Sequence, residues 1–257
     1  MTKLHLLGSG SKANAYIVED EGALLIVDQG LSYKQFSLRC AALHCDPSQA
    51  LAIVVTHEHS DHIAGIPLTA HKLNIPVYGT EKTLEIIKRK SKYPITLIPI
   101  YKQVSMILEK WLVTPFSIHH DAVDPVGFSI ELSTGKKVVI ATDTGRITAP
   151  IMRHLNEASS IVLEANHEPA LLYQNKRYPP ELKTRIRSDH GHLSNNQTFD
   201  ALARISSKLT ENVIFAHLSE ENNNPELLKQ MASAFFATRT GIKHFFASQK
   251  DPFSILL

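Results

Sequence analysis

The sequence has little cysteine and no long apolar run. Its 257 residues include two cysteines, Cys40 and Cys45, which are too few for the disulfide framework of a small secreted domain. We expect both to be unreactive thiols. The N-terminal residues, Met1–His5, do not begin the apolar stretch of a signal peptide, and no run approaches the roughly 20 apolar residues that cross a bilayer. These absences predict a cytoplasmic protein that does not act at a membrane.

The chain also lacks an obvious linker, an internal repeat and a low-complexity tract. A length of 257 residues fits one large domain, and hydrophobic residues at 43% can form a sizeable core. We therefore predict a single domain over residues 1–257. A net charge of +2 does not by itself indicate nucleic acid, and the oligomeric state stays open.

A phosphate-binding glycine loop is absent as well. Gly8-Ser9-Gly10-Ser11 has a suitable composition, but no helical pattern follows it, and Asn14 leads into another apolar strand. Because a nucleotide-binding glycine loop opens a helix, a tight turn between two strands is the preferred interpretation.

The sequence does contain short apolar β-branched runs that alternate with helical patterns, as is typical of helices covering sheets. Glu21-Gly22 and Gly135 fit hairpin turns, whereas helices separate the later strands. This mixture predicts an α/β (α+β) fold with mixed sheets. The predicted strands are Lys3–Leu7, Ala15–Glu19, Ala23–Val27, Leu51–Val55, Val77–Tyr78, Thr96–Ile98, Val113–Ile118, Gly127–Leu132, Lys137–Ala141, Ile161–Leu163, Val213–Phe215 and Lys243–Phe246, and the predicted helices are Tyr33–Leu43, Ile66–Leu73, Thr80–Arg89, Asn195–Lys208 and Pro225–Thr238.

One short stretch concentrates metal-binding side chains. His57-Glu58-His59-Ser60-Asp61-His62 follows the apolar run Leu51–Val55. A strand that ends at Thr56 would carry His57 and His59 on one side, because alternate residues of an extended chain share a face. If Ser60 caps a following helix, Asp61 and His62 in its first turn would point at a second ion. The spacing therefore predicts a dinuclear metal site.

Three other apolar runs end in a residue that can bind metal, namely His120, Asp143 and His217. Strand ends at one edge of a sheet converge even when they are far apart in sequence. We expect one ion on His57, His59 and His120, a second ion on Asp61, His62 and His217, and Asp143 as a bridge between them. Asp28 also ends an apolar run and is interpreted as the carboxylate that orients a ligand histidine. Two such ions would lower the pKa of a bound water and supply hydroxide as a nucleophile.

This order of Asp28, the His57–His62 cluster, His120, Asp143 and His217 resembles the metallo-β-lactamase fold superfamily. The resemblance implies an αβ/βα four-layer sandwich, in which two mixed β-sheets lie between helical layers and the dinuclear site lies along one edge of the sheets. It also implies the same seven ligands.

Within that superfamily the chain is similar to the WalJ (YycJ) group of 5′ to 3′ DNA exonucleases. The similarity implies DNA as a substrate, and it leads us to expect Glu164 and His167 as hydrogen-bonding neighbours of the ligands. The chain departs from the group's pattern at Lys12-Ala13, where Ser-Gly is common, and at Glu168, where Asp is common. The matching segments include Ser9-Gly10-Ser11, Asp28-Gln29-Gly30, Thr56–Gly65, His120-Asp121-Ala122, Ala141–Gly145, Glu164–His167, Gly191–Asn195 and His217-Leu218-Ser219.

A phosphodiesterase needs further groups besides the ligands. His192, in a glycine-flanked loop, is the candidate that protonates or stabilises the leaving oxygen, with His167 and His190 as alternatives. Together with the ligand Asp61 it forms the predicted catalytic pair. A basic cluster precedes His192, and its members Lys183, Arg185 and Arg187 are candidate phosphate contacts.

The ligand types do not select one metal, because His and Asp suit Zn²⁺, Mn²⁺ and Fe²⁺ alike. We expect two divalent ions per chain, zinc or manganese, with iron as a further option. The alternative enzyme class is a lactone, thioester or β-lactam hydrolase that uses the same site on a carbonyl. A DNA-binding protein without activity is the least favoured hypothesis, because the ligand set is complete.

Overall fold

The computed structural model describes residues 2–206 and 208–257. Its strands are β1 Thr2–Gly8, β2 Ala15–Asp20, β3 Ala23–Gln29, β4 Ala50–Val54, β5 Val77–Gly79, β6 Leu97–Pro99, β7 Met106–Leu108, β8 Trp111–Ser117, β9 Val126–Glu131, β10 Lys137–Ala141, β11 Ser160–Glu164, β12 Asn212–Ala216, β13 Lys243–Phe246 and β14 Phe253–Leu256. Its α-helices are α1 Tyr33–Ala42, α2 Ser60–Ile63, α3 Ile66–Leu73, α4 Glu81–Lys90, α5 Ala149–Glu157, α6 Pro169–Gln174, α7 Pro180–Arg187, α8 Asn195–Ala203 and α9 Pro225–Phe236, and a short 3₁₀ helix spans Pro47–Gln49.

The strands form two mixed sheets. In the first sheet the order is β14-β1-β2-β3-β4-β5-β6, and in the second it is β13-β12-β11-β10-β9-β8-β7. The first sheet is antiparallel from β14 to β3 and parallel from β3 to β6. The second is parallel from β13 to β10 and antiparallel from β10 to β7. The predicted hairpin turns are confirmed, with Glu21, Gly22 and Gly135 at positive φ.

Three buried layers hold the sheets and helices together. Side chains such as Tyr16 from the first sheet and Trp111 from the second meet in the core between the sheets. A second core joins the outer face of the first sheet to α1, α3 and α4, and a third joins the outer face of the second sheet to α5, α8 and α9. The predicted four-layer sandwich is therefore confirmed. Cys40 and Cys45 are buried free thiols within the described residues.

Several predicted boundaries differ from the structure. β4 ends at Val54 rather than Thr56, and α2 begins at Ser60 with His59 in the capping position, so Ser60 is not the cap. The predicted helix Asn195–Lys208 ends at Ala203, and Ser207 lies outside the described residues. The helices α5, α6 and α7 and the strands β7 and β14 were not predicted. No helix in the described ranges is both long enough and apolar enough to span a membrane.

Candidate metal centre

The predicted ligands lie just beyond the ends of strands from both sheets. His57 follows β4, Asp143 follows β10 and His217 follows β12 directly. Asp143 and His217 have φ values of 57° and 53°, in the left-handed region where Asp and His occur more often than most residues. The chain therefore turns sharply as it leaves these two strands.

Three histidine nitrogens converge on one point. The Nδ1 atom of His59 lies 3.1 Å from Nε2 of His57 and 3.2 Å from Nε2 of His120. Two nitrogens about 2.05 Å from a tetrahedral zinc ion are about 3.3 Å apart. His120 is held in this orientation by its Nδ1 atom, which donates to the Gly191 carbonyl at 3.2 Å. The three rings therefore fit a single divalent ion.

A second group lies next to the first and shares Asp143 with it. One Asp143 oxygen lies 3.3 Å from Nε2 of His62, and the other lies 3.3 Å from Nε2 of His217 and 3.9 Å from Nε2 of His120. Asp61 completes the group, with its Oδ2 atom 3.4 Å from His62 and 3.7 Å from His217. Within the described residues, Asp143 Oδ2 and His217 Nε2 are buried without a hydrogen-bond partner. Unpaired buried atoms of this kind fit a bound cation.

The charges of this cluster are strongly coupled. Burial opposes protonation of His217, but Asp143, Asp61 and Glu164 outweigh it and raise the pKa of His217 to about 10. Burial also opposes protonation of His62, but the carboxylates of Asp143 and Asp28 outweigh it and raise the pKa of His62 well above its ordinary value. In the ion-free protein these two histidines therefore carry protons where a metal ion would otherwise bind.

Asp28 and Asn14 fix the orientation of ligand side chains. The buried Asp28 carboxylate accepts from the backbone N–H of Thr56 at 2.8 Å, from its hydroxyl at 2.7 Å and from Nδ1 of His62 at 2.8 Å. The side-chain amide of Asn14 donates to Asp61 at 3.2 Å and lies 3.0 Å from Nε2 of His62. With Nδ1 of His62 on Asp28, its Nε2 atom lies 3.4 Å from Asp61 and 3.3 Å from Asp143.

Glu164 joins His192 to His217. One of its oxygens accepts from Nδ1 of His192 at 2.7 Å and from Nδ1 of His217 at 3.0 Å. Burial opposes ionisation of Glu164, but His192 and His217 hold its pKa down at about 2. His167, the other expected neighbour, is buried but has no partner for Nδ1 among the described residues, and burial lowers its pKa to about 4. Glu164 therefore connects with the ligands and His167 does not.

The cluster opens into a cavity of about 340 Å³. His192 and Arg185 line this cavity, whereas Lys183 and Arg187 line a separate pocket on another face of α7. Arg185 forms a short ion pair with Asp121. Of the three predicted phosphate contacts, the structure thus brings only Arg185 into the cavity. His190 is exposed and is not among the cavity-lining residues that the structure describes.

Three further residues lie at the site without a role predicted from the sequence. Asn14 contacts two predicted ligands, and the glycine-rich loop before it was a usable signal. Asp121 directly follows His120 and contacts Arg185. Tyr178 lines the cavity but belongs to no motif, so nothing in the sequence marked it.

Solved structures of other proteins share this architecture. The metallo-β-lactamase fold protein YhfI from Bacillus subtilis matches with a TM-score of 0.71 at 16% identity, covering 99% of both chains. A diphosphatase of the PhnP family also matches with a TM-score of 0.71, at 17% identity, covering 99% of this chain and 98% of that one. At these identities the likeness defines the fold, which is that of the metallo-β-lactamases.

Comparison with the sequences of known proteins identifies the family within this fold. The family described as "Beta-lactamase superfamily domain" matches residues 25–218. Exodeoxyribonuclease WalJ of Streptococcus pneumoniae is 35% identical over 230 residues, covering 88% of this chain and 84% of that protein. Exodeoxyribonuclease YycJ of Bacillus anthracis is 31% identical over 237 residues, covering 89% and 86%. The chain therefore belongs to the beta-lactamase superfamily and, within it, to the family of WalJ and YycJ, which confirms the resemblance.

Proposed function

We propose that this protein is a metal-dependent phosphodiesterase that removes nucleotides from the 5′ end of DNA. The observation that carries the proposal is the pair of ligand groups, with Asp143 between them, beside a cavity that Arg185 and His192 also line. The names of the WalJ and YycJ relatives, both exodeoxyribonucleases, support DNA as the substrate.

In this proposal His57, His59 and His120 hold one divalent ion, and Asp61, His62 and His217 hold the other. Zinc and manganese both suit these nitrogen and oxygen donors, and iron is a further option. When bound, two such ions would activate water and offset the charge that develops on the phosphoryl oxygens. Asp143 lies between the two groups, since its Oδ1 atom is 3.9 Å from Nε2 of His120 in the first group and 3.3 Å from Nε2 of His217 in the second.

His192 is proposed to act on the leaving oxygen. Its Nδ1–H donates to Glu164, so Nε2 remains to exchange a proton with the substrate. This hydrogen bond fixes the orientation and the tautomer of the His192 ring. His192→Ala should therefore lower kcat by about 10²- to 10⁴-fold while the metal content is retained. His190→Ala is the matched control, and an active His192→Ala variant with its metals bound would exclude the role.

Arg185 is the proposed phosphate contact inside the cavity. Its pairing with Asp121 places a guanidinium at the cavity wall, and the planar guanidinium suits phosphate oxygens. Lys183 and Arg187, on another face of α7, could contact only a strand that passes outside the cavity.

A substrate panel tests the proposal. The metal-loaded protein is offered 5′-labelled single-stranded and double-stranded DNA, RNA, a small phosphodiester, a lactone, a thioester and a β-lactam, each with and without chelator. We expect chelator-sensitive release of nucleotides from DNA. Hydrolysis of the lactone, thioester or β-lactam alone would favour the carbonyl hydrolase, and DNA binding without any hydrolysis would favour the inactive binding protein.

A further inference from the structure

An apolar stripe lines the same cavity as the proposed ligands. Tyr178, Leu182 and Ile186 are spaced four residues apart and are all partly buried. Leu182 and Ile186 lie on one face of α7, since residues four apart share a helix face, and Tyr178 precedes the helix by two residues. These three residues have no role in the proposed metal binding or in the proposed phosphate contact of Arg185.

Both ends of the segment that carries the stripe are anchored. Before Tyr178, the Asn175 amide donates to Asn222 at 2.7 Å and Arg177 pairs with Glu221 at 3.3 Å. After the stripe, the backbone N–H of His192 donates to the Ile186 carbonyl at 2.8 Å.

Gly191 permits the close contact at this second anchor. A Cβ atom there would lie 2.2 Å from the carbonyl oxygens of both Arg185 and Ile186. The end of α7 thus packs directly on the loop that carries His192. The stripe is therefore held in place as part of the cavity lining.

The cavity has the size and the lining for one nucleotide. Its volume of about 340 Å³ is near the lower end of the range for small-molecule sites, about 300–1,000 Å³. Its lining includes an aromatic ring and two aliphatic side chains, and it also includes the proposed ligands His59, His120 and Asp143. A base would contact the apolar side chains while its phosphate contacts the proposed ligands.

A neighbouring groove offers a path for the rest of the strand. The groove has a volume of about 620 Å³ and shares Ser11, Tyr178 and Ser219 with the cavity. Lys12 and Arg177 also line it, but both already pair with glutamates. Tyr178 therefore lies where the cavity meets a groove whose positive charge is largely balanced.

We propose that the base of the terminal nucleotide of a single DNA strand stacks on Tyr178, with Leu182 and Ile186 beside it, while the scissile phosphodiester lies on the ligand cluster. This inference rests on the proposed function and adds the recognition of the strand end. Stacking accepts any base, because every base has a π-face. The strand leaves through the groove, so the end must be unpaired to enter.

The test combines Tyr178 variants with a substrate that lacks the terminal base. The rate kcat/KM is measured on a single-stranded oligonucleotide and on the same oligonucleotide with an abasic 5′-terminal residue. Tyr178→Ala should lower kcat/KM on the intact oligonucleotide by about 5- to 150-fold. It should lower it much less on the abasic one, because two changes that remove the same contact are not additive. Tyr178→Phe should restore most of the rate.

Tyr173→Ala is the matched control, because Tyr173 is 77% exposed on α6 of the same segment and lies outside the cavity lining. Equal losses by Tyr178→Ala on both oligonucleotides, with metal content and melting temperature intact, would overturn the stacking. So would a wild-type rate that does not depend on the terminal base. If the wild-type protein cleaved neither oligonucleotide, the proposed function itself would fail.

Discussion

Replacement of Asp28 by Asn removes one charge from the metal centre and changes its shape very little. Asp28 has a φ of 55°, and Asn accepts this left-handed conformation about as well as Asp does. The amide oxygen can still accept from the Thr56 backbone, and the Thr56 hydroxyl can reverse its role from donor to acceptor. The backbone of the variant should therefore stay in place.

The same exchange of donor and acceptor at His62 would interfere with metal binding. In the wild-type protein its Nδ1–H donates to Asp28 at 2.8 Å, which leaves Nε2 unprotonated toward Asp61 and Asp143 in the neutral ring. In Asp28→Asn the amide N–H group faces Nδ1, so the proton moves to Nε2, the nitrogen that would bind the ion. Loss of such an orienting partner typically costs 10- to 100-fold in metal affinity, or about 1.4–2.7 kcal/mol.

Isothermal titration of the chelated protein with Zn²⁺ or Mn²⁺ measures this loss directly. We expect one of the two binding events to weaken and the other to change little. Asp20→Asn is a matched control, because Asp20 is equally buried and accepts from Ser133 at 2.8 Å and from Thr2 at 3.4 Å. Wild-type metal affinity in Asp28→Asn would refute the reasoning, as would an equal loss in Asp20→Asn.

Two further predictions concern the same centre. The pKa values of His62 and His217 are raised in the ion-free protein, the latter to about 10, so metal binding should release protons and metal affinity should increase with pH between 6 and 9. Titrations in buffers of different ionisation enthalpy measure the proton release, and metal binding without any proton release would contradict the prediction. Gly30→Ala should lower metal content and melting temperature, because its Cβ would lie 1.8 Å from the Asp61 carbonyl oxygen. Gly22→Ala, whose Cβ meets nothing within 4 Å, should keep its metal, and a fully metallated Gly30→Ala would contradict the packing argument.

The proposed ligands could be picked out from the sequence because they follow strong apolar runs, and the structure brings them together. Strand ends at one sheet edge converge whatever the exact boundary, so the early end of β4 at Val54 did not disturb the prediction for His57. The left-handed conformations of Asp28, Asp143 and His217 could not be read from the sequence, since they depend on how each chain leaves its sheet.

The helices α5, α6 and α7 were harder to predict from the sequence. Helices α5, α6 and α7 each have a proline in the first turn, a position that proline favours because its missing N–H is not needed there. All three are short, so their periodicity is weak. In the sequence the basic residues of α7 form one cluster, but in the helix Arg185 and Lys183 line different pockets. The position of Tyr178 in the cavity lining is likewise visible only in the structure.

The most direct test of the account is a metal titration of the chelated protein, followed by the release of nucleotides from 5′-labelled single-stranded DNA. The account predicts no release without metal, and activity that increases until two ions are bound per chain. The cluster of His57, His59, Asp61, His62, His120, Asp143 and His217 would then hold both ions. DNA cleavage that persists in the fully chelated protein, or two bound ions with no cleavage of any phosphodiester, would contradict it.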